Sequence, residues 1–472
     1  MKPRHLDLLV TLSSPTLSPD GEQAVFAASR PSFDVDDHVG RIWSVATAGR
    51  GRPRPLTRGT SDLAPQLSPD GHTVAFLRGG VDARPQLAIV SAEGGEPRIV
   101  TDAPLGVDEF VWSRDSRKLA FAARMPEEGR YGTLEGVPAE REDPRLIVGN
   151  KYQANGIGYI RDRPRGIYLL EVPSLDEEPW LEPRGRAATG TEEEPRDNTT
   201  LGGRRGIPQA RLLTPLEADC RQPEFTPDGK RVCFTAALHA GEDSDLRSMI
   251  HRVPVTGGEP VLVAGGAEAT WAWSRPRFSR DGRTLFLLAE HLGESGLDFV
   301  GSAKAVAALA VDAEPGTEPR ILTDPVTSDY EAPWSFLEPF GEESVLAPAR
   351  VRGCGELHAI SPEGRVHVLV KGPKVVSAAA ERSGVSVAVV SEATRPMELA
   401  RVAEGRLVRL TDFARPLVAA ATPVEPRELT IQGEDGNDIH GWVFVPKGRG
   451  PHPVLLNIHG GPFSNFNWAF FD

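Results

Sequence analysis

The sequence predicts an all-β fold: a seven-bladed β-propeller over residues 14–423, followed over residues 424–472 by the first strands of a second, incomplete domain. Three observations predict it: a turn motif that recurs along the chain, a closing motif that occurs seven times, and a change of pattern after Ala421. The 472 residues exceed the ~250–300 at which a single hydrophobic core stops growing. Two domains, or one large repeat domain with an additional piece, are therefore expected.

Composition narrows the function classes. Hydrophobic residues make up 39% and charged residues 25%, which is ordinary for a soluble globular protein. The 48 glycines and 42 prolines occur in turn-like clusters, which favours many short strands. The net charge of −13, without a basic stripe, argues against nucleic acid as a partner and indicates solubility.

The cysteines and the apolar segments indicate in which cellular compartment the protein is expected. The cysteine number is odd and no pair has metal-ligand spacing, so we expect buried free thiols, no disulfide and no zinc. Charges interrupt the apolar run of the first ten residues, so they are not a signal peptide. No stretch approaches the ~18 apolar residues of a membrane span. A cytoplasmic location of the protein, without a membrane partner, is therefore expected. The three cysteines are Cys220, Cys233 and Cys354.

The recurring turn motif is Ser-Pro-Asp-Gly in its clearest form. Proline presets φ for a turn, aspartate accepts bonds from nearby backbone N–H groups, and glycine accepts positive φ. A short apolar strand follows each copy, so each is predicted to be a β-hairpin. Copies occur at residues 17–21, 67–71, 112–116, 225–229 and 278–282, with degenerate forms at 340–343 and 381–384.

The number of closing motifs gives the predicted number of repeats. A repeat of roughly 40–50 residues with four short strands is typical of propeller blades, which bury their faces against neighbours in a ring. A solenoid of stacked hairpins is the alternative. The seven closures lie at residues 55–57, 99–101, 212–214, 261–263, 321–323, 368–370 and 409–411.

One repeat is longer than the others and is predicted to carry an insertion at about residues 124–206. Its last part, residues 167–172, alternates well enough to be a strand. Long insertions usually protrude from one face of a fold. This one is expected either to shape access to a site or to be a peripheral decoration.

A different pattern begins after Ala421. Strands are predicted over residues 428–432, 439–445 and 453–458, and the third runs into His459-Gly460-Gly461-Pro462. A buried strand that ends in glycines, whose backbone N–H groups face a ligand, is typical of the oxyanion-hole loop of an α/β-hydrolase.

These motifs carry a resemblance over nearly the whole chain. The chain resembles the prolyl oligopeptidase family of serine peptidases, and most closely its acylaminoacyl-peptidase branch. The resemblance implies a seven-bladed propeller capping a Ser-Asp-His hydrolase, with the propeller gating access so that substrates are short peptides. It also implies that residues 1–13 pack on the hydrolase side. The matching motifs are the Ser-Pro-Asp-Gly hairpins, Gly156–Tyr159, Asp435-Gly436, Gly441-Trp442, the Pro446 turn and residues 457–462.

The resemblance assigns roles to the loop. Gly461 matches the position whose backbone N–H donates to the tetrahedral oxyanion, Gly460 lets the backbone come close, and Pro462 fixes the turn. His459 is interpreted as a support of the loop through a ring hydrogen bond, not as the general base. Phe463, with Phe466, is a candidate for lining a substrate pocket, the alternative being a place in the core. No metal or organic cofactor is expected.

The departure from the family pattern concerns the nucleophile. The sequence contains no G-x-S-x-G motif, so the catalytic Ser, Asp and His are expected in a C-terminal segment, on the same polypeptide or a cleaved partner chain. The 472 residues alone are expected to be inactive, with residues 465–471 as an exposed aromatic tail. The alternatives are a non-catalytic TolB-like propeller that binds a protein or peptide, and an esterase. A homo-oligomer stays open.

Overall fold

The computed structural model describes residues 2–49, 51–80, 83–133, 136–184, 186, 199–314, 316–331, 336–403, 405–461 and 464–470. Two compact units divide the chain. Unit 1 consists of Met1–Pro55, Val300–Ala305 and Leu322–Asp472, and unit 2 of Leu56–Phe299 and Val306–Ile321.

Short strands dominate both units, as the turn-rich sequence predicts. The described residues contain one α-helix, α1, and two short 3-10 helices, Pro3–Leu8 and Ala139–Arg141. The first strands are β1 Thr11–Leu17, β2 Gln23–Ser32, β3 Asp37–Ala46, β4 Arg54–Pro55, β5 Ser61–Leu67, β6 Thr73–Gly80, β7 Ala83–Ser91, β8 Arg98–Ile99, β9 Val107–Trp112, β10 Lys118–Arg124, β11 Gln153–Ala154, β12 Gly158–Tyr159, β13 Arg165–Glu171, β14 Thr200–Leu201, β15 Ala210–Leu212, β16 Arg221–Phe225, β17 Arg231–Ala236, β18 Met249–Pro254 and β19 Val261–Ala264.

The remaining elements are β20 Trp271–Phe278, β21 Thr284–His291, β22 Lys304–Ala310, β23 Arg320–Ile321, β24 Glu338–Phe340, β25 Ser344–Val351, β26 Cys354–Ile360, β27 Val366–Val370, β28 Val375–Arg382, β29 Val385–Glu392, β30 Arg395–Ala403, β31 Arg406–Arg409, α1 Arg415–Ala421, β32 Arg427–Gln432 and β33 Asp438–Val443. No helix among the residues described is long and apolar enough to cross a membrane.

Unit 1 contains antiparallel meanders in which consecutive strands pair. They are β1–β4, β24–β27 and β28–β31. The first and last of these meanders share one hydrophobic core, in which Leu12, Phe26, Val389 and Leu399 are buried. The residues nearest the two ends of the repeat region therefore pack together inside this unit.

Unit 2 contains the meanders β5–β8, β16–β19 and β20–β23, together with a five-stranded sheet in the order β14-β15-β13-β10-β9. In that sheet Phe121 stacks on Tyr168 with ring centroids 5.6 Å apart, and both side chains are fully buried. Each meander repeats one plan of short antiparallel strands, as the sequence repeats predict.

The turn motif has the chemistry expected from its residues. Between β1 and β2 the Ser18 hydroxyl donates to Asp20 Oδ1 at 2.5 Å, and the same carboxylate accepts the Glu22 N–H at 2.9 Å. Gly21 adopts φ +75°, which glycine accepts without strain. The same hydroxyl-to-aspartate bond, at 2.6 Å, occurs in the pairs Ser68–Asp70, Ser113–Asp115, Thr226–Asp228 and Ser279–Asp281.

The degenerate turns are also confirmed, and one residue connects them. Residues 341–343 join β24 to β25, and residues 383–384 join β28 to β29. One Glu381 carboxylate oxygen accepts the Gly341 N–H at 2.9 Å, and the other accepts the Gly384 N–H at 2.8 Å. Both turns therefore depend on one side chain.

In three of the seven closing motifs the final threonine has the same structural role. Its hydroxyl accepts a backbone N–H from the third long strand of its own sheet, at 2.9–3.0 Å. The hydroxyl thus extends the hydrogen-bond ladder where the short outer strand ends. The pairs are Thr101 with Leu87, Thr214 with Ile167, and Thr411 with Leu399.

The expected insertion differs from the structure in one respect. Residues 165–171, placed in the insertion by the sequence, form β13, which pairs with β10 along its whole length. This strand lies in the sheet because its apolar residues are buried between two partner strands. The inserted residues therefore fall into two stretches, one before β13, containing the β11–β12 hairpin, and one after it.

The cysteines are free, as predicted. Cys220 and Cys233 are buried, and burial raises the pKa of each thiol to about 12. Cys354 is half-buried instead. The sequence did not predict α1, which begins at Arg415 after the last closing motif, has a proline as its second residue and buries Leu417. The first 3-10 helix contacts β2 and α1.

Candidate active-site loop

The hairpin that leads to the candidate loop forms as predicted. β32 and β33 pair in register from Arg427↔Val443 to Gln432↔Asp438. In the turn between them Gly436 adopts φ +82°, and hydrogen bonds from Asn437 lower the pKa of the Asp435 carboxyl. The Asp435-Gly436 motif is therefore a turn that aspartate and glycine specify together.

The third predicted strand is not formed. Residues 453–458 have no strand assignment, and β32 and β33 make a two-stranded sheet to which no other described strand is added. Val454 is 94% and Leu455 93% exposed. The apolar pattern predicted burial, but a strand needs a neighbour for its backbone groups, and no described sheet edge supplies one here.

The candidate loop follows this apolar segment. Gly461 adopts φ +129°, a conformation that residues with a side chain rarely adopt. Its N–H donates to none of the residues described. A Cβ at Gly460 would meet nothing within 4 Å, so the backbone here is open to a ligand.

His459 takes part in the local geometry of the loop. Its Nδ1 lies 3.1 Å from the Gly460 carbonyl oxygen, and its ring packs edge-on against Phe466 at 5.9 Å. Since a carbonyl only accepts, this contact needs the tautomer with the proton on Nδ1. The geometry is consistent with loop support, and that role stays a prediction. Pro462 and Phe463, the other two predicted site residues, lie outside the described residues.

The tail after the loop is attached to unit 1, which corrects the expectation of an exposed aromatic tail. Residues 466–470 are half-buried. The Trp468 N–H donates to the Gly353 carbonyl at 2.9 Å, and the Phe470 N–H donates to the Ser391 hydroxyl at 2.9 Å. Trp468 also packs edge-on against Trp442 of β33, at 5.6 Å between rings. Aromatic pairing and two backbone bonds therefore cover residues 466–470 in part, while Asn465 stays exposed.

Gly353 is a supporting residue that sequence reasoning did not identify. It is the second residue of the two-residue turn between β25 and β26, with φ +77° after Arg352 at φ +47°. A Cβ at Gly353 would lie 2.5 Å from Trp442 Cη2. The Arg-Gly pair signals a tight hairpin turn, but the second requirement, space for an indole ring, comes from a residue far along the chain.

The hairpin face that carries Trp442 also holds an imidazole. His440 lies 4.5 Å from the Trp442 ring, and its Nε2 is 2.6 Å from Glu428 Oε1 on the paired strand. Together these contacts hold β32, β33 and the tail in one arrangement. In sequence, the loop of residues 459–461 therefore lies between β33 and the tail, which are both packed within unit 1, and the exposed residues 453–458 directly precede it.

Comparison with known proteins finds peptidases among the proteins that this chain is similar to. The chain is 25% identical to an uncharacterized peptidase, YuxL, of Bacillus subtilis over 98% of its own length and 66% of that protein's length. Its fold matches Pyrococcus horikoshii acylaminoacyl peptidase with a TM-score of 0.71, 15% identity and 99% of this chain aligned to 63% of that one. It also matches the β-propeller domain of the Trilobed protease from Pyrococcus furiosus, with a TM-score of 0.54, 14% identity, and coverage of 87% of this chain and 98% of that domain.

These relatives are peptidases, and the all-β fold is close to those of propeller-containing acylaminoacyl peptidases. The resemblance to the prolyl oligopeptidase family is therefore confirmed. No family model matches the chain. The chain spans about two thirds of the length of the curated relative.

Proposed function

We propose that this chain is the seven-bladed propeller and the leading hydrolase strands of a serine peptidase that hydrolyses short peptides. The observation that carries the proposal is the open loop His459–Gly461, in a chain similar to a curated peptidase over 98% of its length. The meanders and the five-stranded sheet are the proposed blades. Gating of the active site by the propeller, so that folded proteins are excluded, is part of the proposal.

The proposed reaction is acyl transfer through a covalent intermediate. A serine hydroxyl adds to the scissile carbonyl, the C–N bond breaks, the amine leaves with a proton, and water then hydrolyses the ester. The Gly461 N–H would donate to the oxyanion of each tetrahedral intermediate. A donor of this kind typically contributes a factor of about 10²–10³ to turnover. The proposed scheme uses no metal and no organic cofactor.

The triad is proposed to lie outside these 472 residues. The sequence has no G-x-S-x-G motif, and the curated relative is longer than this chain. A hydrolase sheet that continues beyond residue 472 would also give the exposed apolar residues 454–458 a partner to pack against. These features support a catalytic segment on the same polypeptide or on a cleaved partner.

The test compares two glycine variants of the natural full-length product on a series of chromogenic dipeptide and N-acetyl-amino-acid substrates. Gly461→Ala is the test variant, and Gly258→Ala is the control because Gly258 has a matching φ of +131° and open space around it. Alanine keeps the N–H but rarely adopts φ +129°, so Gly461→Ala should turn the donor away from the oxyanion. We expect kcat to fall by up to about 10² for Gly461→Ala and to be unchanged for the control. Equal activity of the two variants would remove Gly461 from the mechanism.

A second measurement tests the class itself. A fluorophosphonate probe should label one serine of the active natural product, and the labelled peptide should lie outside residues 1–472. Absence of both labelling and peptide hydrolysis would instead favour a propeller that binds peptides without cleaving them.

A further inference from the structure

A recess of about 350 Å³ opens in unit 2, outside the candidate loop. It lies between the β11–β12 hairpin and residues 216–221 and 236–248. Its volume is at the lower end of the range for small-molecule sites, about 300–1,000 Å³. Six basic and three acidic residues line it, although the whole chain has a net charge of −13.

Most of the basic side chains around the recess already have a hydrogen-bond or ion-pair partner. Arg124 forms a two-point ion pair with Asp219, and Arg161 binds Glu242 at 2.8 Å. Arg247 binds Asp245 at 2.9 Å, and Lys151 donates to the Glu242 carbonyl. These residues build the walls and leave little charge for a ligand.

Arg221 differs from these residues. No carboxylate or carbonyl of the described part of the chain forms an ion pair or hydrogen bond with its guanidinium group. Its side chain keeps access to solvent, yet surrounding protein desolvates it, which is the main cause that lowers its pKa. The nearby Arg165 and Arg275 cations lower that pKa further, and the Glu109 and Asp219 carboxylates act in the opposite direction without forming an ion pair with the guanidinium group. The pKa of Arg275 is lowered mainly by desolvation as well.

Arg165 completes the cationic end of the recess. Its Nε lies 2.8 Å from Asp108 Oδ2, so one side of the guanidinium is held in place. Its terminal amino groups form no hydrogen bond with any residue that the structure describes. A planar guanidinium fixed from one side is well placed to hold a carboxylate with the other.

The remaining wall is apolar. Ile157, Ile160, Leu216 and Leu246 line the same recess as Arg165 and Arg221. An apolar wall next to the Arg221 guanidinium and the terminal amino groups of Arg165 fits a ligand with a hydrophobic body and a terminal negative charge. Two arginines held close together, of which only Arg165 has an ion-pair partner, lower stability, which is typical of binding sites rather than of structural ion pairs.

We propose that this recess is a carboxylate-binding site, in which Arg221 and Arg165 hold the carboxylate and the isoleucine and leucine side chains contact an apolar body. The ligand class is an N-acylated amino acid or a peptide with a free, apolar C-terminal residue. The site does not depend on the proposed peptidase activity, because every residue that forms it lies in unit 2.

Calorimetric titration of the purified protein tests the proposal with two probes. N-acetyl-leucine carries the carboxylate and the apolar body, and N-acetyl-leucinamide has the same body without the charge. Neither contains a peptide bond between two residues, so the result is independent of peptidase turnover. We expect the acid to bind at least about tenfold more tightly than the amide, the usual scale of a charge-assisted bond.

Variants assign the effect to the recess. Arg221→Met should abolish the preference for the acid, and Arg221→Lys, which keeps the charge but not the fork of donors, should retain part of it. Arg283→Met removes an exposed arginine of the same unit and should change nothing. Equal binding of acid and amide by the natural protein, or an unchanged preference in a folded Arg221→Met variant, would overturn the proposal.

A longer probe distinguishes the two sources of the carboxylate. Tighter binding of acetyl-Ala-Ala-Leu than of N-acetyl-leucine would identify the ligand as the end of a peptide chain. Equal binding would identify it as a single acylated amino acid, and both results support recognition of the carboxylate.

Discussion

Unit 1 contains two leucines in opposite environments, Leu399 in β30 and Leu455 in the segment after β33. Leu399 is fully buried, with strands paired on both sides of β30, whereas Leu455 is 93% exposed. The two leucines differ in what surrounds them, and apolar character does not explain the difference, because β30 contains Arg395, Glu398 and Arg401 whereas residues 453–458 contain no charge. Strand pairing satisfies the backbone of β30 and brings a covered face with it, and residues 453–458 have neither.

The difference shows in which part of the chain the strands have partners and a covered face. In the repeated sheets, local turn chemistry and the closing threonines align each strand with the next one. After β33 the chain has a turn, an apolar segment and a glycine loop, but no neighbouring strand among the described residues. The proposed function gives a physical reason, because the next strands of a hydrolase sheet would cover this segment.

The largest expected effect comes from the same substitution made in both stretches. Leu399→Ala should lower the free energy of unfolding by about 2–5 kcal/mol, since it leaves a cavity in a packed core. Leu455→Ala should change it by less than about 0.5 kcal/mol. Urea unfolding of both variants measures the difference. A loss of several kcal/mol for Leu455→Ala would show that residues 453–458 are packed in solution.

A smaller effect is expected where the tail meets the repeated sheets. Gly353→Ala would place a methyl group 2.5 Å from Trp442 Cη2 on a backbone at φ +77°. We expect it to cost about 2–4 kcal/mol, because the left-handed backbone alone costs about 1–2 kcal/mol and displacement of the indole is added.

Gly384→Ala is the matched control for that contact. Gly384 has φ +76° and open space where its Cβ would lie, so only the backbone cost applies. Tryptophan fluorescence should shift for Gly353→Ala and not for the control. If both variants lose the same stability without a spectral change, the Trp442 contact does not hold the tail.

Local patterns in the sequence predicted the repeats because their determinants lie within a few residues of each other. In each Ser/Thr-x-Asp turn the aspartate accepts hydrogen bonds from the hydroxyl and the backbone of the same turn. The local sequence alone therefore identifies the hairpin. Failures occurred where the partner is distant. Residues 165–171 were placed in the insertion because their pairing with β10 crosses about forty residues that no local pattern connects.

The candidate site shows the same limit. The glycine loop and the turn at Asp435-Gly436 were predicted from adjacent residues, whereas the support by Gly353, Ser391 and Trp468 depends on contacts between segments far apart in sequence. Arg221 was not singled out either, since an unpaired arginine can be identified only when the partners of its neighbours are known. Periodicity reports which face is apolar, but it does not report what covers that face.

The smallest expected effect is a dependence of stability on pH that comes from the turns of the repeated sheets. The Ser113 hydroxyl and the Arg117 N–H hold the pKa of Asp115 below its ordinary value of 3.8. Because the folded pKa is depressed, its contribution to stability is present above about pH 4 and is lost as the pH falls through the folded value. Asp115→Asn should therefore lower stability at pH 7 and make it less dependent on pH below 4.

Thermal unfolding of the natural protein, Asp115→Asn and Ser113→Ala between pH 2.5 and 7 measures this effect. Ser113→Ala removes the bond that lowers the pKa most, so it should flatten the same part of the profile while leaving the carboxyl in place. The shift in Tm should be a few degrees at most, since the carboxylate is largely solvated and exposed interactions contribute little. Identical acid profiles for all three proteins would mean that the turn aspartates act only through backbone geometry, and that the stability of the repeats lies in strand pairing and core packing alone.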